Sequence, residues 1–374
     1  MNNRERILRA VRHERVDRIP TDMWATPEVQ EALMNALGIA EGQDSSSPHI
    51  GLCGGPLSRG VAGIIALWDK LGVDGIFSIA PPYIGPEIPR LEKGRRNEWG
   101  FEYRTVNYGT GTYEEQVAYP LGNATSLADL DDHVWPDPDW YDYSKLPEII
   151  DCCGARAVCV GYHAVFTYHN YLRGLEVSLM DPVMDPEFTQ KLLEKLGSFF
   201  LKYHRRCFEA ARGRIEFTQV TDDWGSQSGL ITSPGIFREF YKPWMQQGID
   251  LAKEYGVEVF HHDDGDCRPL LPELSEMGVR VLNPIQWRCG GWDLMDLKAR
   301  YGSSFCFHSG VDNQQTLPRG TPDDVRSEVR MLINTLASDG TGFILGPCHN
   351  LQPVTPVENI LALYDEAKRI CRQP

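Results

Sequence analysis

Short apolar runs alternate along the chain with longer amphipathic segments. Residues 157–161, 214–220, 257–261, 279–283, 304–307 and 341–345 are β-branched or aromatic runs of strand length. Residues 175–212, 234–255, 272–277, 293–301 and 322–336 fall between them at helical spacing, and residues 356–372 close the chain as a helix. Nearer the start, residues 4–13 predict a helix with Ile7, Leu8 and Val11 on one face. Residues 18–24 predict a strand with Pro20 near its beginning, and a helix follows Thr26-Pro27, with Pro27 in its first turn. The Gly- and Ser-rich stretch 42–60 reads as a loop, residues 64–71 as a helix and residues 73–79 as a second buried strand.

The count is eight strand candidates, six of them in strict strand–helix alternation. Alternation implies a parallel sheet with right-handed crossovers, and eight units imply a closed ring. The expectation is an α/β chain folded as one (β/α)8 TIM barrel over residues 1–374, with an N-terminal helical extension. One region breaks the rhythm. Residues 102–108 and 113–119 alternate polar and apolar positions around Gly109-Thr110-Gly111, a hairpin signal. This β-hairpin excursion, around residues 98–120, is expected to stand over the barrel mouth. Residues 129–142, acidic and carrying Pro136 and Pro138, read as a surface connection.

A barrel carries its chemistry at the C-terminal ends of its strands. Polar clusters fall there: Thr221-Asp222-Asp223-Trp224-Gly225-Ser226-Gln227, His261-His262-Asp263-Asp264-Gly265-Asp266, then Asn283, Gln286 and Trp287, then His308-Ser309-Gly310-Val311-Asp312-Asn313-Gln314, then Gly346-Pro347-Cys348-His349-Asn350. Two His and three acidic residues within six positions are too costly to place at a strand end for packing alone. His262-x-Asp264 puts two ligand types on the same side of an extended segment. Cys348, after the eighth strand, would complete three protein ligands with one open position, as catalytic zinc needs. Bland roles compete: Asp222 and Asp223 as helix caps, Asp312 as an N-cap or turn residue, His308 as a core histidine, Cys348 as a buried thiol. Only one of His261 and His262 can face the interior.

The net charge of −15 argues against nucleic acid and anionic membrane as partners. No apolar run is long enough to span a bilayer, and Met1-Asn2-Asn3-Arg4-Glu5-Arg6 is a charged helix start without a signal-peptide core. Ten cysteines without small-domain spacing read as reduced thiols, so a cytoplasmic protein is expected.

The ordered set Asp222-Asp223-Trp224-Gly225-Ser226-Gln227, His262-Asp263-Asp264-Gly265, Leu282-Asn283-Pro284-Ile285-Gln286, Gly310-Val311-Asp312-Asn313-Gln314, Cys348-His349-Asn350-Leu351-Gln352 and Thr355-Pro356-Val357-Glu358-Asn359-Ile360 resembles the uroporphyrinogen decarboxylase superfamily. The resemblance implies a (β/α)8 barrel and a homodimer. Members that decarboxylate the tetrapyrrole carry an N-terminal Met-Arg-Gln-Ala-Gly-Arg segment, an Asp after the next strand, a Tyr and a C-terminal His. Here Pro20-Thr21-Asp22-Met23-Trp24-Ala25 stands in place of the first and Phe77-Ser78-Ile79 lacks the second, while Tyr171 and His349 match the last two. A substrate with many carboxylates needs the missing arginines.

The chain is more similar to the corrinoid-dependent methyltransferase branch, which binds zinc through His-x-Cys and a distant Cys. The matching positions are His262, Asp264 and Cys348, with Asp in place of the middle Cys. The harder oxygen ligand fits an oxygenated or methoxylated methyl donor at least as well as a thiol acceptor. The resemblance thus implies a metal-dependent methyltransferase acting between a small substrate and a corrinoid protein or thiol. In that reading zinc is held by His262, Asp264 and Cys348. Asp222, Asp223, Tyr171 and His349 are catalytic, and Asn283, Gln286, Trp224, Gln227 and Asp312 bind substrate. The alternative is a metal-free decarboxylase or lyase for a smaller carboxylic acid, using His349, Tyr171 and Asp223 as acid/base groups.

Overall fold

The computed structural model describes residues 1–40, 49–53, 55–107, 109 and 112–370. Seven strands pair in parallel and in chain order: Ile76–Ile79, Ala157–His163, Phe217–Val220, Glu258–His262, Val281–Asn283, Cys306–His308 and Phe343–Ile344. Residues 20–25 take the eighth place. Thr21 bridges Leu345 and Ala25 bridges Leu351, both in parallel. On the other side, the Asp74 and Gly75 amides donate to the Thr21 carbonyl at 2.9 and 3.2 Å. The expected first strand therefore closes the barrel through single bridges rather than a ladder. Pro20 has no N–H to give, and the Asp22 carboxylate takes the Ile76 amide at 3.1 Å in place of a backbone acceptor.

Side chains alternate across each strand. Ile76, Ala157, Cys159, Phe217, Phe260, Val281, Cys306, Ile344 and Trp24 form one buried cluster, the barrel interior. Ile7, Ala10 and Val11 join it, so the helix Asn3–Val11 plugs the end where the strands begin. The outward residues pack with the helices into a second, larger cluster. Burying an aliphatic or aromatic side chain of this size is worth about 1.5–3 kcal/mol, so both clusters are needed to hold the ring.

Three expectations need correction. The 42–60 stretch is not all loop. Residues 42–48 and 54 lie outside those described, but Ile50–Leu52 pairs antiparallel with Ile76–Ile79 and with Gly55–Pro56. Ile50 and Leu52, both buried, are enough to anchor it. The following helix starts at Gly60 rather than residue 64. The 175–212 segment forms helices as expected, Leu175–Met184 and Pro186–Ala211, but they are preceded by an unexpected one at Val165–Arg173. The 234–255 segment contains a widened π-type turn at Phe237–Tyr241 before Lys242–Glu254, next to Pro243, which cannot donate.

The hairpin forms as expected, from Glu102–Asn107 and Thr112–Ala118 with Arg95–Arg96 as a third strand. Its turn residues 108, 110 and 111 lie outside those described. Trp99, Phe101 and Tyr103 hold this sheet to the barrel: the Trp99 and Phe101 rings pack on Tyr168 at 4.8 and 5.7 Å. The Gln116 amide donates to the Tyr171 carbonyl at 2.6 Å. No described helix is long and apolar enough to cross a membrane, and the described cysteines are free thiols.

Candidate functional site

Alternation settles the histidine pair. Phe260 lies in the barrel interior, so His262, two positions on, points inward and His261 outward. His261 is fully buried outside the ring, its Nδ1 2.9 Å from the Val220 carbonyl. His262 rises at the mouth, its ring 5.4 Å from those of Trp24 and His349.

Among the described residues, His262, Asp264 and His349 each offer one ligand atom, all within 4.8 Å of one another. The Asp264 carboxylate lies 3.9 Å from His262 Nε2 and 3.7 Å from His349 Nε2. Asp223 Oδ1 also reaches to 3.9 Å from His262 Nε2. Both carboxylates are open to the mouth, with 40% and 47% of their side chains exposed.

Two loops hold these groups by interlocking. Asp223 Oδ1 accepts from the Asp264 amide at 3.1 Å, and Asp263 Oδ1 accepts from the Trp224 and Gly225 amides at 2.9 Å each. The Asp266 amide donates to the Ser226 carbonyl at 2.8 Å. The loops touch at two glycines. A Cβ on Gly225 would come within 2.3 Å of the Asp264 carbonyl, and one on Gly265, which has φ +86°, within 2.5 Å of the Ser226 carbonyl. Gln286 fixes the far side, accepting from the Gly265 amide at 2.7 Å and donating to Asp264 Oδ1 at 2.8 Å.

The electrostatics of the mouth are acidic. Burial opposes protonation of His262, but Asp264, Asp223 and the Asn283 acceptor outweigh it and raise its pKa. Burial lowers the pKa of His349, and the neighbouring His262 adds to this against the pull of Asp264. The Tyr171 ring is 39% exposed, yet its hydroxyl lies in a poorly solvated position beside Asp223 and Asp222, and its pKa rises. Neither arginine nor lysine figures among the charges acting most strongly on these three groups.

The other predicted residues separate from the site. Asp222 is 1% exposed and caps the Val165–Arg173 helix, accepting from the Phe166 and Thr167 amides at 3.2 and 2.8 Å. Its carboxyl is pushed well above the usual range by burial. Trp224 is fully buried, stacked on Phe166 at 4.2 Å. Asp312 accepts from the amides of Gln314, Gln315 and Thr316, each at 3.0 Å, and meets Arg288 at 3.1 Å, so it is a turn and cap residue. Gln227 accepts from the Cys289 thiol at 3.3 Å. Cys348 stands beside the His262, Asp264 and His349 trio rather than in it: its buried thiol donates to the Ile285 carbonyl at 3.4 Å, and burial raises its pKa.

Three residues of the site, Trp24, Asp22 and Tyr162, were not singled out for it by sequence, and a fourth, His308, stood in a strand-end cluster with a core role open to it. Trp24 and Asp22 sit on the segment that closes the barrel. His308 Nε2 lies 3.0 Å from Asp22 Oδ2. Tyr162 follows a register shift between Val160 and Tyr162 in its strand. That bulge, at Gly161, turns it toward Asp223, whose charge together with burial raises its pKa. Position just past the expected strand end at residue 161 was the available signal for Tyr162.

The uroporphyrinogen decarboxylase (URO-D) family model matches residues 146–370. Among curated proteins, the chain is 25% identical over 188 residues to uroporphyrinogen decarboxylase of Prochlorococcus marinus (strain MIT 9211), covering 50% of this chain and 49% of that one. It is 22% identical over 190 residues to the Coxiella burnetii (strain Dugway 5J108-111) enzyme of the same name, covering 48% and 47%. The chain therefore spans about half the length of the curated relatives it matches. Among solved structures, a methyltransferase from Methanosarcina mazei superposes over 99% of both chains with a TM-score of 0.66 and 19% identity, a likeness of fold. With the family model matching more than half of the chain, this chain belongs to the uroporphyrinogen decarboxylase family.

Proposed function

We propose that this protein is a metal-dependent methyltransferase of the family, moving a methyl group between a small substrate and a corrinoid protein or thiol. The observation that carries the reading is the trio of His262, Asp264 and His349 at the open mouth, with Asp223 beside it. Two imidazoles and one or two carboxylates suit zinc or a similar divalent ion. The fold likeness to the Methanosarcina mazei methyltransferase agrees.

Bound there, zinc would supply a Lewis acid that polarises the heteroatom gaining or losing methyl. The chain's own residues do the rest. His262 and His349 present ring nitrogens on one side of Asp264. Gln286 holds the Asp264 carboxylate in place. Asp223, half exposed and next to His262, is positioned to take or return a proton on the substrate heteroatom. Tyr162 and Tyr171 stand protonated near Asp223 as hydrogen-bond donors. The nitrogen and oxygen donors of the trio favour a methoxylated or otherwise oxygenated donor. Cytoplasmic location, a corrinoid partner at the mouth and a homodimer complete the proposal.

The alternative, a metal-free decarboxylase for a smaller acid, has to hold a substrate carboxylate beside Asp223 and Asp264, where like charge repels it. The test is turnover. Zinc-loaded protein is screened with small methoxylated and methylated donors and a corrinoid protein as acceptor, reading the corrinoid spectrum. Methyl transfer that stops with chelator and in His262→Ala is the expected result. Carbon dioxide release from a small acid, undiminished by chelator, would overturn it.

A further inference from the structure

Behind His262 a line of buried polar groups runs back into the barrel: Asn283, His308 and Asp22, which are 0%, 0% and 1% exposed. We propose that Asp22, His308 and Asn283 form a hydrogen-bond relay of fixed polarity that holds His262 in the Nδ1–H tautomer, with the Nε2 lone pair facing Asp264 and His349. The tautomer claim stands on the geometry alone. Its consequence for metal affinity rests on the metal-dependent reading above.

The polarity follows from groups that have no choice of role. The Ile76 amide donates to Asp22 Oδ1 at 3.1 Å, and the Trp24 indole donates to Asp22 Oδ2 at 3.1 Å. Both are donors only, so Asp22 serves as an acceptor at each of its oxygens. His308 Nε2, 3.0 Å from Oδ2, then carries the proton of that bond. In a neutral ring this leaves Nδ1 as an acceptor. It has two donors in reach, the Asn283 side-chain nitrogen at 2.7 Å and the Ser309 hydroxyl at 2.9 Å. With its nitrogen committed to His308, Asn283 turns its oxygen to His262 Nδ1 at 2.6 Å. An amide oxygen only accepts, so His262 Nδ1 bears the proton and Nε2 is free.

The opposite polarity requires Asn283 to be flipped. Its oxygen would then face His308 Nδ1, which would need a second proton, and its nitrogen would force the Nε2–H tautomer on His262, closing the ligand position. The backbone at His262 is fixed as well, since its amide donates to the Thr221 hydroxyl at 2.6 Å and its carbonyl accepts from the same hydroxyl. Asp22, His308 and Asn283 are thus positioning residues, acting on the site through His262.

The test is nitrogen NMR of metal-free protein with 15N-labelled histidine side chains, at alkaline pH, where the rings are neutral. The His262 signals are assigned by their loss in His262→Gln. The expected result is a protonated Nδ1 and a bare Nε2 on His262, the Nε2–H form on His308, and a mixed His262 tautomer in Asn283→Ala. Asn283→Asp keeps an acceptor for His262 and should restore the Nδ1–H form. In a parallel zinc titration, Asn283→Ala should weaken affinity by about 10- to 100-fold, with Asn283→Asp closer to wild type. An Nε2–H His262 in the wild-type protein overturns the relay, and that reading depends on no variant folding. A wild-type protein that shows the Nδ1–H form but binds no zinc leaves the relay standing and sinks the metal reading instead.

Discussion

The two ends of the barrel treat buried charge in opposite ways. At the closed end, Asp74 has no exposed side-chain surface and meets two guanidiniums, Arg6 at 2.5 Å and Arg18 at 2.8 Å. Arg6 is shared with Asp17, whose carboxyl it holds down at about 2. At the mouth, Asp223 and Asp264 instead face imidazoles, with His262 Nε2 3.9 Å from each and His349 Nε2 3.7 Å from Asp264. Charge that is matched within the chain is architecture. Charge that meets only imidazoles, on interlocked loops and open to solvent, is available to a ligand.

That contrast can be broken at either end. Asp74→Asn leaves Arg6 and Arg18 facing a neutral amide and should cost about 3–5 kcal/mol of unfolding free energy by urea titration. An unchanged midpoint would remove the closed end from the account.

Structural histidines should betray themselves in acid. His204, 2% exposed, donates Nδ1–H to the Phe200 carbonyl at 2.7 Å, and burial lowers its pKa to about 4. A histidine with a depressed folded pKa contributes stability that is whole above the unfolded value near 6.5 and is lost as pH falls through the folded one. Stability should therefore drop by up to about 3 kcal/mol between those limits. His204→Gln should flatten that slope, whatever its effect at neutral pH.

Gly225→Ala places a methyl against the Asp264 carbonyl and should cost about 1–3 kcal/mol, the usual range for overpacking. The smallest effect is expected from the mouth itself. In metal-free protein, Asp264→Asn should change stability by no more than about 0.5 kcal/mol, because the carboxylate is 40% exposed. A loss as large as that of Asp74→Asn would mean that the mouth is architecture too.

Strand and helix placement was legible because the buried runs are long and apolar. The Cys306–His308 strand and the Pro322–Leu336 helix follow from pattern alone. What was not legible depends on tertiary partners. The Val165–Arg173 helix carries Thr167, Tyr168, His169, Asn170 and Tyr171, weak helix formers, and its first turn is capped by Asp222, 56 residues from Phe166. That one contact hid a helix and also moved Asp222 from candidate acid to cap. The metal set was read from motif spacing, which cannot show side-chain direction at the last strand: there Cys348 turns to the Ile285 carbonyl and His349 to Asp264. The relay was invisible because His308 and Asp22 are 286 positions apart.

The measurement that bears most directly on the account is a zinc titration of metal-free protein against a competing chelator, for wild type, His349→Ala and Cys348→Ala. The account predicts about one zinc per chain in the wild type, an affinity at least about 100-fold weaker in His349→Ala, and a change within about threefold in Cys348→Ala. No zinc in the wild type, or a site lost with Cys348 and indifferent to His349, would contradict it.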